Sequence, residues 1–191
     1  EVQDGKPEPP SDAVNYVDCR QQSCVIHLGG PEGLSNKLFA EANARRFHKA
    51  SQQAVLGDGA DWIWKIADAD YPRAAQINDW YHACQHVHAA AASLFATAPG
   101  QSAAWVDHQK HVLYGGGADL VANAIRTLNP GQQAVLDTEA RYFETRFDHM
   151  QYADFRAAGL PIGSGVVEAT AKQVKHRMSG AGMRWSRTGA S

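Results

Sequence analysis

Short apolar runs and helical stripes alternate along the first half of the chain, and only helical stripes follow in the second. Ala54-Val55-Leu56-Gly57 is a short apolar run that closes on Asp58 between glycines, which predicts a buried strand ending at that aspartate. Asp61 to Ala67 predicts a short helix, Ala75 to Asp79 a second strand, and Trp80 to about Phe95 an alanine- and histidine-rich helix. A further helix is expected from about Ser35 to Lys49, ahead of the first of these strands. Strand, helix, strand, helix is an α/β pattern.

Both ends of the chain differ from this middle part. Asp4-Gly5-Lys6-Pro7-Glu8-Pro9-Pro10 is turn-forming, because proline lacks the donor that a β-ladder needs, and it predicts a hairpin tip. Val14 to Cys19 has weak strand character. From Gln101 to Met150 the pattern is wholly helical, with helices expected at Ser102 to Leu113, Ala118 to Leu128 and Gly131 to Met150. Gly115-Gly116-Gly117 and Asn129-Pro130 break it. The chain then returns through Phe155 to Leu160 to the turn Gly163-Ser164-Gly165 and a helix bearing Glu168. Three parts are therefore expected: a core over 1–100, a helical insertion over 101–150, and a return to the core over 151–191.

Composition narrows the partners only locally. With 18 Lys+Arg against 20 Asp+Glu the net charge is -2, so nucleic-acid binding would have to rest on a patch. Such a patch exists near the end, where Lys172, Lys175, Arg177, Arg184 and Arg187 cluster, with Trp185 beside Arg184. An arginine next to a tryptophan suits phosphates and bases. The 3 cysteines are an odd set without CxxC spacing, which argues against a disulfide framework or a cysteine zinc site. No apolar run approaches the roughly 18 residues of a membrane span, and a reduced, cytoplasmic setting with no membrane partner is expected.

Several residues are candidates for chemistry, each with a plain structural alternative. Asp58 ends a strand where α/β proteins usually bind ligands, or it simply makes an Asp-Gly turn before the next helix. Asp79 ends the second strand and His82 follows one helical turn later, close enough to touch; an ordinary N-cap aspartate would look the same. His82 and His86 share a helix face, but Ala83 stands where HExxH has its glutamate, and His88 points elsewhere. A closed tetrahedral zinc site is not expected; a small hydrolase with a histidine-based metal site is a third alternative, which predicts stoichiometric zinc. Glu168 could pair with Lys172 at i, i+4. Together, Asp58 and Glu168 offer the hard oxygens that Mg²⁺ prefers and that two-metal phosphoryl transfer employs. A pair of ions needs a third carboxylate, for which Asp79 and a residue preceding Glu1 are the alternatives.

The ordered motifs Gly57-Asp58-Gly59-Ala60-x-Trp62-Ile63-Trp64, Asp79-x-Tyr81-His82-x-x-x-His86, Gly163-Ser164-Gly165-x-Val167-Glu168 and Gly182-Met183-Arg184-Trp185 resemble those of bacterial insertion-sequence transposases of the ISKra type. The resemblance covers nearly the whole chain. It implies a DDE transposase with an RNase H-like catalytic core, here lacking its first strand or strands, and with the 101–150 helices as the insertion before the glutamate helix. It implies two Mg²⁺ ions in a complete enzyme, with Asp58 and Glu168 as metal-binding catalytic acids and Asp79 and His82 as the supporting acid-x-x-His element. Lys172, Lys175, Arg177, Arg184 and Trp185 would contact DNA, and the partners would be transposon-end and target DNA, bound by a homodimer or higher oligomer.

The departure is at the start, where the first catalytic aspartate of such enzymes would precede the proline-rich hairpin. Asp4 and Asp18 do not replace it, because Asp4 lies in a turn and Asp18 only weakly imitates the motif. DNA cleavage and strand transfer by this chain are therefore expected to be impaired. The alternative expectation is a non-catalytic DNA-binding or dimerising remnant that competes with an intact transposase.

Overall fold

The computed structural model describes residues 22–129, 131, 133–165, 172, 175 and 176. The expected hairpin tip at 4–10 and the strand at 14–19 lie outside the described residues, as do Glu168, Arg177, Arg184, Trp185 and Arg187.

The described chain is mixed α/β and mostly helical. Its strands, β1 (Ala54–Gly57) and β2 (Ala75–Asn78), pair in parallel with Ala54 opposite Ala75 and Gly57 opposite Asn78. Helix α2 (Asp61–Asp70) makes the crossover between them, as a parallel pair requires. β1 is half-buried along its whole length, less covered than its apolar run suggested, whereas β2 ends in the buried pair Ile77 and Asn78. Gly57 is needed at the end of β1, because a Cβ there would lie 2.9 Å from Cγ2 of Ile63.

Helix α1 (Pro31–Ala44) begins with Pro31 in its first turn, where the missing N–H costs nothing. It stops before Lys49 because Arg46 adopts a left-handed conformation, φ 57°, after which one 3₁₀ turn covers Phe47–Lys49. The remaining helices are α3 (Trp80–Leu94), α4 (Pro99–Tyr114), α5 (Ala118–Thr127), α6 (Ala134–Thr145) and α7 (Tyr152–Ala157), with a 3₁₀ turn at Phe147–Met150. The single helix expected from Gly131 to Met150 is thus two elements, because Arg146 leaves helical geometry at φ -132°, ψ 19°.

The hydrophobic core runs without a break from β2 through all the helices from α3 to α7. Helix α3 buries Trp80, Ala83, Cys84, Val87, Ala90 and Ala91, the stripe that 3.6 residues per turn dictates. Helix α3 packs against both α4 and α6. Phe143 and Tyr152 are fully buried and anchor this region, each side chain contributing about 1.5–3 kcal/mol by leaving water. Trp80 meets the rings of Tyr114 and Tyr152 edge-on, at 5.3 and 5.2 Å. No helix among the described residues is long and apolar enough to cross a membrane.

Candidate functional site at the strand ends

The parallel register decides where the acids stand. Gly57 and Asn78 are partners, so the residues that follow them, Asp58 and Asp79, leave the sheet side by side at its carboxyl edge. Both line a cleft of about 310 Å³ together with His82, Gln85 and Ser164. Ser164, 85 residues from Asp79, is brought to the same rim.

Asp79 is buried and fully engaged with the backbone. Its Oδ1 accepts the N–H of His82 at 2.9 Å and so caps α3, while its Oδ2 accepts the N–H of Ser164 at 2.5 Å. Its own N–H donates to the carbonyl of Gly57 at 2.7 Å, and the next N–H, of Trp80, donates to Ile162 at 2.8 Å. One residue therefore joins β1, α3 and the 162–164 segment. The expected contact between Asp79 and His82 is made through the backbone of the histidine, which is the N-cap alternative.

Asp58 is exposed, and its Oδ1 accepts the N–H of Ala60 at 3.0 Å. This is a local turn bond rather than a helix cap, since α2 begins after Ala60 without a capping side chain. Gly59 holds φ +97°, and a Cβ there would meet the ring of Tyr142 at 3.0 Å. Turn and tyrosine fit together only around a glycine.

The imidazole of His82 points to a second group of residues. Its Nδ1 lies 3.2 Å from Oε1 of Gln85, and its Nε2 lies 3.3 Å from Nε2 of His86. Nδ1 of His86 in turn is 2.6 Å from Oε2 of Glu139 on α6. Tyr142, one helical turn after Glu139, stacks on the His86 ring with centroids 3.6 Å apart and takes a long 3.4 Å hydrogen bond from Nδ2 of Asn78. Burial, reinforced by the nearby carboxylates of Asp79 and Asp58, pushes the Tyr142 phenol well above its ordinary range, so the hydroxyl stays neutral.

No sequence motif marks Glu139 or Tyr142. The only local signal of their site was the shared face of His82 and His86, because α6 lies more than 50 residues away and only packing brings it there. Of the expected DNA contacts, Lys172 and Lys175 are helical and exposed. Among the described residues, no group of three or more His, Cys, Asp or Glu is arranged to hold a metal. No protein-family model matches the chain, and comparison with the curated proteins and with the solved structures likewise yields no match.

Proposed function

We propose that the chain is of the DDE transposase type, with an RNase H-like core that uses Mg²⁺ to cleave and transfer DNA strands at transposon ends. What carries this reading is the meeting of Asp58, Asp79 and Ser164 around one cleft at the carboxyl edge of a parallel strand pair. Ser164 lies just ahead of Glu168 in sequence, so the chain that bears the glutamate starts from the rim where Asp58 stands.

In this reading Asp58 and Glu168 supply the hard oxygen ligands for Mg²⁺, whose chemistry is to activate the attacking oxygen and to stabilise the leaving one. Asp79 acts indirectly, holding the strand ends and the Gly-Ser-Gly turn in register, and His82 stands on the wall of the cleft. Lys172 and Lys175, exposed on their helix, bind the DNA backbone together with Arg177, Arg184 and Trp185. The test is metal binding first and cleavage second. Mn²⁺, a spectroscopic stand-in for Mg²⁺, should bind saturably to the protein and lose affinity in Asp58→Ala and in Glu168→Ala. Plasmid nicking that requires Mg²⁺ and vanishes in the same two variants would extend the result to chemistry. Mn²⁺ binding unchanged in both variants would remove the proposal.

One observation favours a non-catalytic reading, in which the chain binds DNA or dimerises and competes with an intact transposase. Both oxygens of Asp79 already take backbone N–H groups, which makes it a poor third ligand for a pair of ions. Salt-sensitive DNA binding that weakens in Lys172→Ala and Lys175→Ala, without nicking in Mg²⁺ or Mn²⁺, would select this alternative.

A further inference from the structure

We infer that His82 and His86 form an open two-imidazole site for a borderline divalent cation of the Zn²⁺, Co²⁺ or Ni²⁺ class, independent of the carboxylates at the strand ends. The two Nε2 atoms face each other at 3.3 Å. That distance is within reach of a hydrogen bond between the rings. It matches the spacing of two nitrogens bound to one tetrahedral ion at about 2.0–2.1 Å each, which lie about 3.3–3.4 Å apart.

The other nitrogens determine what these two can do. A carboxylate only accepts, so the 2.6 Å contact with Glu139 takes its proton from Nδ1 of His86, and Nε2 is the nitrogen left on the side of His82. Oε1 of Gln85 lies 3.2 Å from Nδ1 of His82, so this ring too has its Nδ1 engaged and its Nε2 on the side of the other histidine. The neutral tautomers with both protons on Nδ1 are the ones in which each Nε2 can donate to a shared ion. The contact from Glu139 to His86 is also the carboxylate-histidine arrangement that orients an imidazole and makes it a better ligand.

The rings are held in place before any ion arrives. His82 and His86 sit one turn apart on α3, their planes 86° to each other, and Tyr142 stacks on His86 at 3.6 Å. Both histidines are part-exposed, so an ion has a path from solvent. No third His, Cys, Asp or Glu among the described residues joins the pair. The remaining positions go to water or to an oxygen of a molecule in the cleft that His82 lines. The absence of a HExxH glutamate excludes that protease motif, and it leaves this simpler pair untouched.

The experiment uses tag-free protein titrated with Zn²⁺ by calorimetry and with Co²⁺ by visible absorption, alongside thermal melts with and without metal. The expected result is saturable binding of one ion and a rise in Tm with metal. Glu139→Gln should weaken binding by about 10- to 100-fold, and His82→Ala and His86→Ala should weaken it further. Metal-free melts of the variants report whether they fold, and the Co²⁺ spectrum of the unaltered protein tests nitrogen ligation without any variant. Failure of the unaltered protein to bind either ion saturably, which would mean that only a proton is shared between the rings, overturns the proposal. So does binding that survives unchanged in a folded double variant, His82→Ala with His86→Ala.

Discussion

Oδ2 of Asp79 accepts the backbone N–H of Ser164 at 2.5 Å, across 85 residues of chain. The same carboxylate caps α3 through His82, so one buried side chain sets the position of a helix start and of the turn that leads toward Glu168. A buried carboxylate with two N–H partners is satisfied. Removing it leaves donors without acceptors.

Asp79→Ala should therefore destabilise the protein by about 1–2 kcal/mol, of which about 1 is the lost cap and the rest the lost hydrogen bond to the part-buried N–H of Ser164. Asp79→Asn should fall between, since it keeps one acceptor but turns an amide NH₂ toward either His82 or Ser164. Urea unfolding followed by circular dichroism measures both. A loss below about 0.5 kcal/mol for the alanine variant would show that the Ser164 contact is incidental.

Two glycines should respond to alanine in opposite ways. Gly59 has φ +97° and lies against Tyr142, so Gly59→Ala should cost about 1–3 kcal/mol. Gly100, in the first turn of α4, has open space where a Cβ would go, and Gly100→Ala should gain about 0.4–1 kcal/mol. Melting temperatures in the reverse order would contradict the conformation of the Asp58-Gly59 turn.

Tyr152 is fully buried, and its hydroxyl donates to the carbonyl of Asn78 at the end of β2, at 3.0 Å. Tyr152→Phe should keep the packing against Trp80 and lose about 1–2 kcal/mol by leaving that carbonyl short of a partner. Equal stability of the two proteins in chemical denaturation would mean that solvent reaches Asn78.

Protonation of His149 should oppose folding. Burial, with the nearby Arg146 adding to it, lowers the pKa of this ring against Trp64 below its ordinary 6.5, and its Nδ1 is buried without a hydrogen-bond partner. Between the lowered value and 6.5 the unfolded chain binds the extra proton and the folded one does not. The stability is thus fully present above 6.5 and is lost as pH falls through the folded value. His149→Phe should flatten the fall of Tm between neutral and mildly acidic pH, and an unchanged slope in that variant would count against the effect.

Local pattern was enough to predict most of the secondary structure. The strand expected to close on Asp58 ends one residue earlier, and the helix expected from Trp80 ends at Leu94 rather than about Phe95. These elements are legible because period and turn residues act over a few neighbours. The breaks at Arg46 and Arg146 were not legible, since neither is a glycine or proline, yet each leaves helical geometry.

For the site, the sequence by itself identified the acids at the strand ends, the shared face of His82 and His86 and the cationic stretch that includes Lys172 and Lys175. Only the tertiary structure decided their use. It engaged Asp79 with Ser164, left Asp58 at the open edge, and brought Glu139 and Tyr142 of α6 onto His86. Residue spacing dictates which side chains share a face of one element, because backbone geometry is local. Which faces then meet depends on burying the common core of α3 to α7, a sum over many distant contacts that no short stretch of this sequence contains.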